Sequence, residues 1–146
     1  DISAPALAAL EQHVQMNLPE MQECSKTVCG DVHDFLKDAD ISPDLLILDP
    51  PSYTSDQASV PRAERAYRQL HRLALKRLAV GARLLTCSCS ARISEDAFRR
   101  IIFGAAKEER VSLKELASIP QPVDHPTRKN FPEGRYLKAL AFVRAA

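Results

Sequence analysis

Glycine supplies only 4 of the 146 residues, and no G-x-G-x-x-G occurs among them. These residues therefore carry no glycine-rich cradle of the kind that binds a dinucleotide or phosphate. No apolar run approaches the ~20 residues of a membrane span. The 20 Lys and Arg against 19 Asp and Glu leave a net charge of +1, so there is no global basic field, and any nucleic-acid contact has to come from a local patch. The opening DISAPALAAL lacks the basic n-region of a signal peptide. The four cysteines, Cys24, Cys29, Cys87 and Cys89, are accordingly expected as thiols of a reducing cytoplasm rather than as a disulfide framework. Their C-x4-C and C-x-C spacings match no zinc pattern, and no metal is expected. Repeats and low-complexity segments are absent too. What remains is an ordinary globular composition, 45% apolar and 27% charged, read as a single domain over residues 1–146.

Hydrophobic periodicity divides the chain into alternating helices and strands. Ser3 is a candidate N-cap for a helix from residue 4, with Pro5 in its first turn, Leu7, Leu10 and Val14 on one face, and Pro19 marking its end. Lys26 to Gly30 reads as a short strand leading into a short helix over Asp31 to Leu36. Leu45 to Asp49 is apolar without alternation, which implies burial on both faces, as in a parallel sheet. A helix follows from about Arg62 to Val80. Ala63, Tyr67, Leu70, Ala74 and Leu78 form its apolar face, and Gly81 is its stop. Opposite lie Arg65, Arg68, Arg72 and Lys76, a stripe open either to solvent or to RNA phosphate. Leu84 to Ser88 is the next strand. Ser94 then caps a helix with Glu95 and Asp96 in its first turn and Phe98, Ile101, Ile102 and Ala105 inside. Val111 to Leu116 is ambiguous, Pro120 to Pro132 is a proline-rich loop, and Leu137 to Val143 is a last strand. The class is α/β.

In open α/β sheets, ligands bind outside the carboxyl ends of the strands. Three such ends carry polar residues here: Gly30-Asp31, Asp49-Pro50-Pro51-Ser52-Tyr53 and Thr86-Cys87-Ser88-Cys89-Ser90. In the second, a carboxylate closes a buried strand and two prolines fix the loop that follows. Taken singly, Asp49 could be a solvated strand stop, Asp31 a helix cap and Cys89 a small buried hydrophobe. Their significance lies in sharing one edge of the sheet.

The series VCGDVHDFL, LLILDPPSY, LLTCSCS and DHP…FPEGRYLKAL resembles the C-terminal part of the catalytic domain of class I S-adenosylmethionine-dependent RNA methyltransferases. It is most similar to the bacterial large-subunit ribosomal RNA cytosine-C5 enzymes. The resemblance implies a Rossmann-like sheet that is incomplete at its N-terminus, without its first strand and glycine-rich loop. It implies S-adenosylmethionine as cofactor, held by Asp1, Asp31, Asp49 and Pro50. It implies RNA, of the ribosome, as substrate, met by Pro51, Ser52 and Tyr53, with Asp49 and Cys89 catalytic.

A cysteine suits that chemistry because carbon 5 of cytosine is a poor nucleophile until a thiolate adds to carbon 6. Cys87, two residues earlier, is the reserve nucleophile. Two departures stand out. Where two-cysteine members place a second cysteine after the proline of the DPP-like loop, this chain has Pro51-Ser52. With the first strand missing, Asp1 looks like the end of a strand whose body lies upstream, LLILD becomes an exposed apolar edge suited to homodimerisation, and cofactor binding by these residues alone is expected to be weak. Three other readings compete. One is amino-group methylation with Tyr53 stacking on a flipped base. One is a non-catalytic remnant, and one is a thiol-redox or metal module on Cys87 and Cys89. Asp124-His125-Pro126 with Phe131 to Lys138 is a candidate lip of the target-base pocket.

Overall fold

The computed structural model describes residues 1–38, 40–54, 56–127, 130, 134 and 136–146. The chain divides into two units, Asp1–Ala39 and Asp40–Ala146. In the first, helix α1 (Ala4–Asn17) is followed by a 3-10 turn at Pro19–Cys24 and helix α2 (Val32–Asp38). Ser3 is the N-cap as expected, its hydroxyl accepting from the Ala6 N–H at 3.3 Å, and α1 stops just ahead of Pro19. Its apolar stripe forms but is not buried, and Leu10 is 48% exposed. The expected strand at Lys26 to Gly30 is not there. Its backbone meets Asp1 through two bonds, Asp1 N–H to Val28 O and Gly30 N–H to Asp1 O, both 3.0 Å. That is a single rung of a parallel ladder, too short to make a strand.

The second unit alternates β1 (Leu45–Leu48), α3 (Val60–Arg77), β2 (Arg83–Ser88), α4 (Glu95–Glu108), β3 (Leu113–Ile119) and β4 (Lys138–Arg144). The α/β expectation holds, and the ambiguous Val111 to Leu116 stretch resolves as the start of β3. The sheet order is β1-β2-β4-β3. β1 runs parallel to β2, whereas β4 is antiparallel to both β2 and β3. The two-sided burial expected of LLILD is corrected: β1 lies at the sheet edge, Leu48 is buried, but Leu45 and Ile47 are 54% and 57% exposed. A continuous apolar strand at an edge is the exposed edge that the family resemblance implied.

Cross-strand partners Leu84 and Phe142, Thr86 and Leu140, Ser88 and Lys138 share one buried face of the sheet. Helices α3 and α4 supply the rest of the core there. Phe98 of α4 meets Tyr67 and His71 of α3 at ring separations of 5.2 and 5.6 Å, and Phe103 meets Phe142 at 5.6 Å. Helix α3 ends at Arg77, earlier than Gly81 suggested. Gly81, at φ +86°, instead makes the turn into β2, its N–H donating to Arg144 O at 2.8 Å. The cationic stripe of α3 is also redefined. Arg68 pairs with Glu108 at 2.9 Å, Arg72 with Glu109 at 2.6 Å and Lys76 with Glu109 at 3.3 Å, so three of its four cations bind the end of α4. Among the described residues, no helix is long and apolar enough to cross a membrane.

His71 is wholly buried. Its Nδ1–H donates to Tyr67 O at 2.7 Å, and its Nε2 accepts the Thr86 hydroxyl at 2.9 Å, which fixes the neutral tautomer. Burial holds the imidazole down to about 4 from its ordinary 6.5. Between those values the unfolded chain takes up a proton that the native fold refuses. Stability is therefore full above pH 6.5 and falls as the pH drops toward 4, by about 3 kcal/mol in all. Urea midpoints at pH 7 and pH 4.5 should fall further apart in the wild-type chain than in His71→Gln. An identical pH dependence in both would refute this assignment.

Candidate active site

The loops that leave β1 and β2 are fastened together by one side chain. Ser90, fully buried, places its hydroxyl 3.2 Å from the Ser52 hydroxyl, 3.3 Å from the Tyr53 N–H and 3.1 Å from the Tyr67 phenol. Ser88, also buried, donates to the same phenol at 3.0 Å and accepts the Ser90 N–H at 3.3 Å. Each hydroxyl has one proton, so the chain of donors has one consistent direction: Ser88 to Tyr67, Tyr67 to Ser90, Ser90 to Ser52, and Ser52 to Thr54 O at 3.2 Å. Every buried group in it is satisfied, as a buried polar network requires. Burial pushes the Tyr67 phenol up in pKa, and its bonds with Ser88 and Ser90 pull against that shift. The Tyr53 ring packs edge-on against the Tyr67 ring at 4.7 Å.

This clasp brings two of the three expected strand ends together. Asp49 is exposed at the end of β1, Pro50 is half-buried, and Pro51 and Ser52 are exposed beside it. Cys87 and Cys89 alternate with the buried Thr86, Ser88 and Ser90 and are half-buried free thiols. Burial, then the Asp49 carboxylate and the Cys89 sulfur, hold the Cys87 thiol above its ordinary value, which makes it a poor nucleophile. Lys138, opposite Ser88 in the register, reaches over to donate to Ser90 O at 2.6 Å and is only 6% exposed. It also lines a cleft of about 510 Å³ with Ile93, Glu95, Gln121, His125 and Thr127. His125 and Pro126 of the expected lip thus border a cavity, whereas Phe131, Pro132, Glu133 and Arg135 lie outside the described residues. No cluster of metal-binding side chains occurs among the described residues.

Asp1 and Asp31 belong to the first unit. The rung between Asp1 and Cys29 places both acids at one end of paired segments. The Asp31 carboxylate accepts the His33 N–H at 2.7 Å, a bond that lowers its pKa, and the Asp1 carboxylate accepts the Ser3 N–H at 2.7 Å. Both side chains remain exposed acceptors suited to hydroxyl and amino protons.

Sequence periodicity assigned Tyr67 to the core and passed over the roles of Ser88, Ser90, His71 and Lys138. A signal was present. Thr86, Ser88 and Ser90 repeat at the strand period of two, and Tyr67 and His71 repeat at the helix spacing of four. Three inward hydroxyls need buried partners, and these two residues are the ones that meet them.

No family model matches the chain. Over 96% of its length it is 33% identical to ribosomal RNA large subunit methyltransferase I of Alteromonas mediterranea, covering 36% of that protein. It is 38% identical, again over 96% of its length, to a ribosomal RNA large subunit methyltransferase of Deinococcus radiodurans, covering 34% of it. The chain thus spans about a third of the length of the curated relatives it matches. A methyltransferase crystallised in complex with SAH superposes with a TM-score of 0.75 at 20% identity, over 98% of this chain and 37% of that one. That likeness shows the fold, the Rossmann-like sheet of such methyltransferases.

Ser90→Ala removes the common partner of both loops and strands the Tyr67 proton. It is expected to cost about 1–3 kcal/mol in urea unfolding. Amide exchange at Tyr53 should accelerate at least about tenfold. Unchanged exchange at Tyr53 would mean that the clasp does not hold the loop.

Proposed function

We propose, from the chain's kinship with the large-subunit ribosomal RNA methyltransferases, that it takes part in S-adenosylmethionine-dependent methylation of RNA, at C5 of a cytosine in ribosomal RNA. The observation that carries this reading is the clasp at Ser90, which sets Asp49 and the half-buried Cys89 on neighbouring loops of one sheet edge. In the first unit, the exposed carboxylates of Asp1 and Asp31 are groups that would take the ribose hydroxyls and the adenine amine of the cofactor. S-adenosylmethionine, when bound, supplies a methyl group activated by a sulfonium.

The chain's own residues do the rest. The Cys89 thiolate adds to C6 of the base, forming an S–C6 bond while N3 takes up a proton. In this reading the Asp49 carboxylate stabilises that protonated ring. The addition by Cys89 makes C5 enamine-like, the atom that would accept the methyl group which S-adenosylmethionine would supply from its sulfonium. Loss of the C5 proton to a base restores the C5–C6 double bond and expels the thiolate, and N3 gives up its proton. Pro51 and Ser52 line the approach to the base. Without a second cysteine after Pro51, the C5 proton leaves by another base. The amino-group alternative fares worse, because the Tyr53 ring is packed against Tyr67 instead of standing free to stack.

The test uses RNA containing 5-fluorocytosine, whose C5 fluorine cannot leave as a proton. Incubated with S-adenosylmethionine and the full reading frame that encodes this chain, such RNA should form a covalent adduct mapping to Cys89, whereas these residues alone should form little or none. Cys89→Ala should abolish both the adduct and C5 methylation, a loss of at least about 1,000-fold. Methyl transfer to ordinary RNA without an adduct would move the reading to an amino group.

A further inference from the structure

The positive charge of the chain is gathered on one helix. α3 carries six cations, Arg62, Arg65, Arg68, Arg72, Lys76 and Arg77, against one acid, Glu64. Since the whole chain has a net charge of +1, everything outside α3 is net acidic. Arg65, Arg68, Arg72 and Lys76 recur at intervals of three and four, so they share one face about 17 Å long. With Gln69, Leu73 and Glu109 they line a groove of about 370 Å³.

Pairing with α4 does not use up this charge. Two carboxylates, Glu108 and Glu109, serve three of the four cations, and Arg65 has no ion-pair partner among the described residues. The Glu109 side chain is only 10% exposed, whereas those of Arg72 and Lys76 are 46% and 53% exposed. The acid therefore lies at the floor of the groove and the cations at its rim, and an approaching ligand meets positive charge. Arg72 reaches both carboxylates through Nε, and Arg68 reaches Glu108 through Nη1. These bonds hold the guanidiniums in place and leave their other N–H groups for an anion.

We propose that this face of α3 is a docking surface for the phosphate backbone of RNA, on the outer side of the helix that braces the candidate site. The proposal rests on the reading of RNA as substrate. Charge complementarity selects the occupant: guanidinium and ammonium groups only donate, and phosphate oxygens only accept. No aromatic ring lines the groove, so it holds the backbone without stacking on bases or reading their sequence. Its place relative to the site is fixed by Tyr67, which shares a turn with Arg65 and Arg68 but points inward and bonds to Ser90 at 3.1 Å. Pairing between helices accounts for Arg68, Arg72 and Lys76, but it gives Arg65 nothing to do.

The test uses the full reading frame that encodes this chain and two transcripts of equal length, one from large-subunit ribosomal RNA and one unrelated. Dissociation constants are read by filter binding over a series of salt concentrations. Arg65→Gln with Lys76→Gln removes two charges at little structural cost, because Lys76 makes the longest of the pairs, 3.3 Å, and Arg65 makes none. The double variant is expected to bind both transcripts at least about tenfold more weakly at low salt. The slope of log K against log salt should become shallower by about 1.4, the loss of two phosphate contacts. Arg65→Gln alone should give about half that change in slope, and Arg65→Lys should stay within about twofold of the wild type. Lys114→Gln, an exposed charge on β3, should leave the slope unchanged. Wild-type affinity and slope in the double variant overturn the proposal. So does a loss confined to the ribosomal transcript, because phosphate contacts do not distinguish sequences. The 5-fluorocytosine adduct is read separately. Binding that depends on Arg65 and Lys76 without an adduct would keep α3 as an RNA surface and sink the Cys89 reading, whereas an adduct with binding indifferent to them would sink the surface alone.

Discussion

One buried hydroxyl holds the candidate site together. Without Ser90, the loop after β1 and the loop after β2 would be two flexible exits from a parallel pair, free to place Asp49 and Cys89 independently. Ser90 removes that freedom through an oxygen that accepts from the Tyr53 backbone and the Tyr67 phenol while donating to Ser52. Tyr67 is in turn clamped by Ser88 and by the rings of Tyr53 and Phe98. The arrangement is stiff because every proton in it has one destination and none of its central groups reaches water. Two prolines before Ser52 restrict the loop from the other side.

Much of this was legible in the sequence, and the failures are physical. The helices were found where local signals decide: Ser3 and Ser94 as caps, and the Phe98, Ile101, Ile102 and Ala105 face of α4. Two of the three expected polar strand ends, those after β1 and β2, do meet at one edge of the sheet, because the two strands are parallel neighbours. Lys26 to Gly30 failed because a strand exists only when a neighbour pairs along its length, and propensity carries no information about the neighbour. β1 was misjudged for a similar reason, since an apolar run reports what a strand is able to bury rather than what covers it. The Arg68, Arg72 and Lys76 stripe read as open to solvent or to RNA phosphate because its partners, Glu108 and Glu109, lie more than thirty residues downstream. Roles of His71, Ser90 and Lys138 depend on contacts between elements, which periodicity does not encode.

The sheet topology decides which residues reach the end of β2. If β4 ran parallel to β2, its first residue would lie at the opposite end of the ladder from Ser88. Because it is antiparallel and inserted between β2 and β3, Lys138 opens β4 where β2 ends. The antiparallel strand thus returns a side chain from late in the chain to the carboxyl edge, beside residues that a parallel sheet alone would have brought there.

The T-C-S-C-S run makes sense as two interleaved series. The even positions, Thr86 and Ser88, with Ser90 after them, face the helices and are completely buried. Hydroxyls there are costly unless every one is bonded, and each is: Thr86 to His71, Ser88 and Ser90 to Tyr67. The odd positions, Cys87 and Cys89, stand on the other side and remain partly accessible. Alternation thus puts the bonded hydroxyls and the partly accessible thiols on opposite faces. Apolar residues at 86, 88 and 90 would leave the buried His71 ring and Tyr67 phenol without their partners and the β1 loop without its fastening. The serines therefore serve the core and the candidate site together.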